Sequence, residues 1–344
     1  MTLARAVLVV ALLAALTLAL PGAGDGTPPK GLRSGTRVGL VFDVGGRGDK
    51  SFNDAAYLGV ERAQRELGVE LVVLEPAGSE DREAALRLFA ARGFDLVIGV
   101  GFIFSTDVNE VARDFPAVKF ACVDYAPPSP EIPNNVVGLG FREEEGSFLV
   151  GAVAGIVSKS KHVGFVGGMD IPLIHRFEAG YRRGVMEVCP SCEVHVGYAG
   201  TTPEAFRDPA KGKAIGISQI REGADVLFHA SGTTGHGVFE AARDMGAWAI
   251  GVDSDQHDEM PGTVLTSMIK RVDVAVFETI RAVGEGRFRA GLTSFGVSED
   301  GVGYVSEGPH AEGVPAAVRE RVAELRGKLM SRAIVVPRTL HPSQ

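Results

Sequence analysis

The sequence predicts an α/β protein of two similar lobes, each a parallel sheet flanked by helices. Three observations carry this reading. Apolar runs of strand length alternate with segments of helical spacing from Arg37 to about Gly251. A connection rich in proline (Pro127, Pro128, Pro130 and Pro133) divides that rhythm in two. The last part of the chain departs from it, as a chain that returns to its first lobe before finishing in the second would do. Strict alternation of strand and helix implies parallel sheets with helices on both faces.

The elements follow in order. RVGLVFDV, from Arg37, is a Val-rich run suited to a strand buried on both faces. Phe52 to Leu67 has helical spacing, with Gly68 as its C-terminal stop. ELVVLE, DLVIGVG and VKFACVDY are the next strands, separated by helices at Glu80–Arg92 and Thr106–Asp114. NNVVGLGF follows the prolines. The second half then repeats the pattern: strands HVGFVGG, EVHVGYAG, DVLFHA and WAIGVD, with helices at Glu143–Ser158, Pro172–Val188, Pro209–Arg221 and Gly237–Met245. TVLTSMIK, a helix at Val272–Val283 and GVGYVS complete the reading. It places lobe 1 at 36–125 and 262–288 and lobe 2 at 140–258 and 292–335, with crossovers at 126–139, 259–261 and 289–291. Several crossings imply a hinge and a cleft between two Rossmann-like lobes.

The N-terminus differs from the rest. Arg5 precedes an apolar run from Ala6 to Leu20, broken only by Thr17, and Pro21, Gly22, Ala23 and Gly24 follow. This reads as a signal peptide over 1–24 with a flexible lead-in at 25–35, since the run is short for a membrane span of about 20 residues. The mature chain is expected to be exported. With 45% hydrophobic and 23% charged residues and a net charge of −8, the full sequence is globular in composition and lacks the basic footprint of a nucleic-acid binder. Cys122 lies in an apolar run and reads as a buried thiol. Cys189 and Cys192, in C-P-S-C, read as a local disulfide or as two free thiols.

Three motifs are discounted. GGRGDKS, from Gly45, resembles a phosphate loop, but Asp49 stands where glycine must precede Lys50. HASGTTG, from His229, brings Ser and His together without the nucleophile elbow or a placed acid. The eight histidines show no metal-ligand spacing, so neither a metal nor a cofactor is expected.

The residues that remain stand at the C-terminal ends of expected strands, where open α/β sheets bind ligands. Asp43, Asp124 and Asp253 each follow an apolar run, Gly232 follows DVLFHA, and Phe52-Asn53 opens the first helix. Carboxylates accept hydrogen bonds from hydroxyl pairs and repel phosphate, so they suit sugars.

At this point the chain resembles a known family. FDVGGRGDKSFNDAAYLGVERA, FACVDY, FRDPAKGKA, ADVLFHASGTTGHGVFEAA, WAIGVDSDQ and VLTSMIKRVD resemble the basic-membrane-protein family, which includes the PnrA-like purine-nucleoside receptors of ABC importers. The resemblance spans about residues 36–310. It implies a type I periplasmic-binding-protein fold with a permease and an ATPase as partners, and no enzymatic step. It also implies that Phe52 and Phe206 stack on the two faces of a purine, that Asn53 and Asp124 read the base edge, and that Gly232, Asp253 and Lys270 hold the ribose. Asp43 would stand near base or sugar. Many members are lipoproteins with a cysteine after the signal peptide. None lies here between Met1 and Cys122, so a soluble periplasmic monomer, or one held by an uncleaved signal, is expected. Competing readings are a receptor of the same fold for another ligand and a nucleoside hydrolase, although DVGGRGDKSFND lacks the run of aspartates such hydrolases use for calcium.

Overall fold

The computed structural model describes residues 35–78 and 80–340, so the expected signal peptide and nearly all of the lead-in lie outside the described residues. The first half of the chain runs β1 (Arg37–Val41), α1 (Phe52–Leu67), β2 (Glu70–Leu74), α2 (Glu80–Ala91), β3 (Leu96–Gly99), α3 (Ser105–Asp114), β4 (Lys119–Val123) and β5 (Val136–Phe141). It continues through α4 (Glu143–Val157), β6 (His162–Met169), α5 (Pro172–Val188), β7 (Glu193–Gly200), α6 (Pro209–Arg221), β8 (Val226–Ala230), α7 (Gly235–Met245) and β9 (Trp248–Asp253). The end of the chain supplies β10 (Val264–Lys270), α8 (Val272–Gly284), β11 (Gly291–Phe295), β12 (Val302–Tyr304) and α9 (Ala316–Met330).

Two six-stranded sheets result, in the orders β11-β5-β4-β3-β1-β2 and β12-β10-β9-β8-β6-β7. Every pairing is parallel except β12, which runs antiparallel to β10. The central strands are covered on both faces, as their unbroken apolar runs require: Val38, Leu40, Leu96, Val97, Ile98, Val226, Leu227 and Phe228 are wholly buried.

The sheets correct the expected crossings. β5 belongs to the first sheet, so the proline-rich segment joins two strands of one lobe, and the chain leaves that lobe after Phe141 rather than within 126–139. β10 belongs to the second sheet, which moves the return from 259–261 to the peptide after Lys270. β11, which the sequence reading did not distinguish, extends the first sheet, so the last passage follows Phe295 rather than lying in 289–291. An apolar strand carries no mark of which of two similar sheets it joins, and a polar stretch is needed only where chain meets solvent. The true crossings are short and sit side by side. The Arg142 N–H donates to the Phe295 carbonyl at 2.8 Å and the Arg271 N–H to the Gly301 carbonyl at 2.9 Å. The Arg142 guanidinium reaches Glu145 and Glu299, and a Cβ at Gly296 would overlap it.

Behind the cleft, α4 lies against α5 at close range. A side chain at Gly151, Gly180 or Gly184 would strike the facing backbone. That contact buries Phe148, Leu149, Val150 and Tyr181 completely. Cys189 and Cys192 form a disulfide, and Cys122 is a buried free thiol.

Candidate functional site

In a parallel sheet the C-terminal strand ends share one edge. The crossings set the two sheets so that these edges face one another, and the loops beyond them line one cavity with about 610 Å³ of empty space, its mouth included. Asp43, Phe52, Asn53, Asp124, Phe206, Gly232, Asp253 and Lys270 all line it. The first four come from lobe 1 and the others from lobe 2, so the structure brings together every residue singled out from the sequence.

Local rules place each group. Asp124 and Asp253 end the fourth strands of their lobes with φ of 56° and 66°. Asp tolerates this left-handed region better than most residues, at a cost of about 1–2 kcal/mol, and the turn directs both carboxylates to the cleft. Asp49, which denied the phosphate loop, organises the start of α1. Its carboxylate accepts from the N–H groups of Ser51, Asn53 and Asp54 at 3.0, 2.8 and 3.1 Å. It also accepts from Asn53 Nδ2 at 3.1 Å, while Asn53 Oδ1 accepts from the Asp43 N–H at 3.1 Å. Asn53 is therefore fixed in orientation and retains one amide hydrogen and one oxygen lone pair for a ligand. Phe206 closes a short turn and lies over Gly168, where a Cβ would overlap its ring.

Lys270 joins the lobes. Its ammonium donates to Asp124 Oδ2 at 2.6 Å and stands 3.7 Å from Glu143 Oε1. It lies 5.0 Å from the ring centres of Phe52 and Phe141 and 5.6 Å from that of Phe177, a setting that favours a cation. Ser51 Oγ donates to Asp253 Oδ2, and Gln256 Nε2 donates to the Lys50 carbonyl at 3.2 Å, two further bonds across the cleft. The lobes are thus closed on one another.

The cavity is lined by acidic groups. Burial pushes Asp43 up to about 7, opposed by the hydrogen bond from the Val44 N–H and aided by the Asp124 charge. Burial likewise takes Asp253 to about 6, with Lys270 opposing, and Glu143 to about 7 against the same ammonium. For Lys270 burial works against the charged form, but Asp124, Glu143 and Asp253 together outweigh it and hold the ammonium above its ordinary range. Asp124 Oδ1 accepts no hydrogen bond among the described residues. Such a wall receives neutral donors and repels phosphate.

Sequence reasoning missed Glu143, whose signal was the acidic run Glu143–Glu145 directly after a strand. It also missed the apolar floor of Leu173, Ile174 and Phe177, spaced along the first turns of α5. The discounted Ser-His pair is structural. His229 is wholly buried, held between Ser231 at 3.3 Å and Gln256 at 3.2 Å, and burial drives it down to about 3, which keeps it neutral.

Residues 36–339 match the family model described as ABC transporter substrate-binding protein PnrA-like. The chain belongs to this family. A CD4+ T-cell-stimulating antigen of Listeria monocytogenes is 36% identical over 322 residues, 87% of each chain. An uncharacterized lipoprotein of Pyrococcus abyssi is 37% identical over 295 residues, 82% of this chain and 72% of its own. Among solved structures, an ABC transporter system solute-binding protein from Aeropyrum pernix K1 superposes with a TM-score of 0.77 at 34% identity, covering 88% of this chain and 93% of that one. The two-lobed architecture is the type I fold of such proteins. PnrA-like proteins are substrate-binding components rather than enzymes, and a cleft lined from both lobes is the part of the molecule that suits that work.

Proposed function

We propose that this chain is the extracytoplasmic receptor of an ABC importer for a purine nucleoside. The observation that carries this reading is one cavity walled by Phe52 from one lobe and Phe206 from the other, with carboxylates from both lobes in its lining. Two rings from opposite lobes suit a flat base, and stacking contributes about 1–3 kcal/mol per face. Asp124 Oδ1, buried without a donor, suits an N–H on the base edge, which favours hypoxanthine or guanine over adenine. Asp253 suits a pair of ribose hydroxyls, and the small Gly232 leaves room for the sugar. The acidic lining favours the nucleoside over its phosphates.

The mechanism is a hinged trap. A ligand that touches both lobes stabilises the closed form only by the contacts it lacks in the open one. Asn53, Asp124 and Phe52 hold it to lobe 1, and Phe206, Gly232 and Asp253 hold it to lobe 2. The closed monomer then docks on a permease driven by its ATPase. Export is supported by the apolar run Ala6–Leu20 and by a relative described as a lipoprotein. Among the described residues no helix is long and apolar enough to cross a membrane. Mass spectrometry of small molecules released by denaturing the purified protein tests the ligand class. A purine nucleoside in near-stoichiometric amount is expected, and a sugar or other metabolite in its place would overturn the assignment.

A further inference from the structure

The second lobe carries an unassigned cluster at the opposite, N-terminal edge of its sheet. β6 and β7 pair in parallel with His162 opposite Glu193 and Gly164 opposite His195. Side chains at paired positions of parallel strands share a face, and so do residues two apart. The register therefore sets His162, Glu193 and His195 on one face, and their ligand atoms lie within 4.8 Å of one another.

We propose that His162, His195 and Glu193 form a surface site for a first-row divalent metal ion of the zinc class. His162 Nδ1 faces His195 Nε2 at 3.1 Å, and Glu193 Oε2 lies 3.6 Å from His162 Nδ1. Ligands about 2.0–2.1 Å from a tetrahedral ion stand about 3.3–3.4 Å apart, so small rotations bring these atoms into one coordination shell. His195 has the outer support that metal-bearing imidazoles carry. Its Nδ1 lies 3.0 Å from Glu222 Oε2, at the end of α6, so the Nδ1–H donates to that carboxylate and Nε2 is left as a lone pair. The Cys189–Cys192 disulfide closes the turn just before Glu193 and fixes the start of β7. Two imidazoles and one carboxylate favour zinc, nickel, copper or cobalt over magnesium and calcium. Without an ion, His162 Nδ1–H donates to His195 Nε2; when the ion binds, the His162 proton moves to its Nε2 through solvent and Nδ1 becomes a ligand.

The test uses the full chain in a His257→Ala background, which breaks the second such cluster found among the described residues, His257 with Asp258 and His310. Titration with zinc by calorimetry is expected to give one ion per chain. Cobalt is expected to give the visible absorption of a tetrahedral site, and magnesium and calcium no response. His162→Ala and His195→Ala should abolish both signals. Glu222→Gln should leave the stoichiometry at one and weaken affinity by about 10- to 100-fold. Nucleoside binding, or an unchanged melting temperature, shows that each variant is folded. Zinc binding that is absent, or that is equal in the background protein and in folded His162→Ala and His195→Ala, would overturn the proposal.

Discussion

Removing the ring of Phe206 tests the stacking wall with least disturbance to the fold. Phe206 is only partly buried, sits in a short turn between β7 and α6, and lies against Gly168. Phe206→Ala therefore removes one wall of the cavity without opening the core. Loss of one stacked face is worth about 1–3 kcal/mol, so the dissociation constant for a purine nucleoside should rise roughly 5- to 140-fold. Phe206→Trp should restore most of the affinity, because another flat ring replaces the first, whereas Phe206→Leu should fall between. Calorimetric titration measures the constants, and thermal melting without ligand should be nearly unchanged. An affinity within about twofold of the parent for folded Phe206→Ala would refute the argument that this ring covers the base.

Further outcomes follow from the same geometry. Lys270→Met leaves Asp124 and Glu143 buried without their cation and should lower unfolding free energy by about 3–5 kcal/mol in urea, whereas the Lys270→Met, Asp124→Asn pair should cost less. Asp43, Asp253 and Glu143 hold their protons in the folded chain up to about pH 7, 6 and 7. Unfolded carboxyl groups ionise near ~4, so the folded chain binds more protons between these limits and ligand-free stability should fall as pH rises through that window. Asp43→Asn should flatten this slope, and an unchanged slope would contradict the burial argument. Gly101, at φ 104°, has no room for a Cβ beside the Asp43 carboxylate, so Gly101→Ala should destabilise by about 1–3 kcal/mol. Gly303→Ala, in open space, should not lower the melting temperature comparably.

Most of the architecture was legible because its cues are local. Strand runs, Gly68 after α1 and the pairs of strand and helix are written in consecutive residues. The edge acids were legible for the same reason, since Asp43, Asp124 and Asp253 each end an apolar run. Sheet membership was not. β5 and β10 are apolar segments that fit either lobe, β11 is a short, exposed edge strand without an apolar run, and only long-range pairing assigns them. The cation's setting was equally hidden: Lys270, Asp124 and Glu143 are distant in sequence, and nothing local marks Phe141 or Phe177 as neighbours of a lysine. Asp49 shows the opposite case. It was singled out for what it forbids, and its part in fixing Asn53 and the start of α1 emerged only from its hydrogen bonds.

The central claim is that the cavity between Phe52 and Phe206 takes a whole purine nucleoside. Calorimetric titration of the protein, stripped of ligand by unfolding and refolding, tests it most directly. Inosine and guanosine should bind one per chain, with adenosine weaker and hypoxanthine, ribose or inosine monophosphate weaker still, because each of these loses the contacts of sugar or base or adds a repelled charge. Tight binding of free ribose or another sugar, with no heat from any nucleoside, would contradict the account.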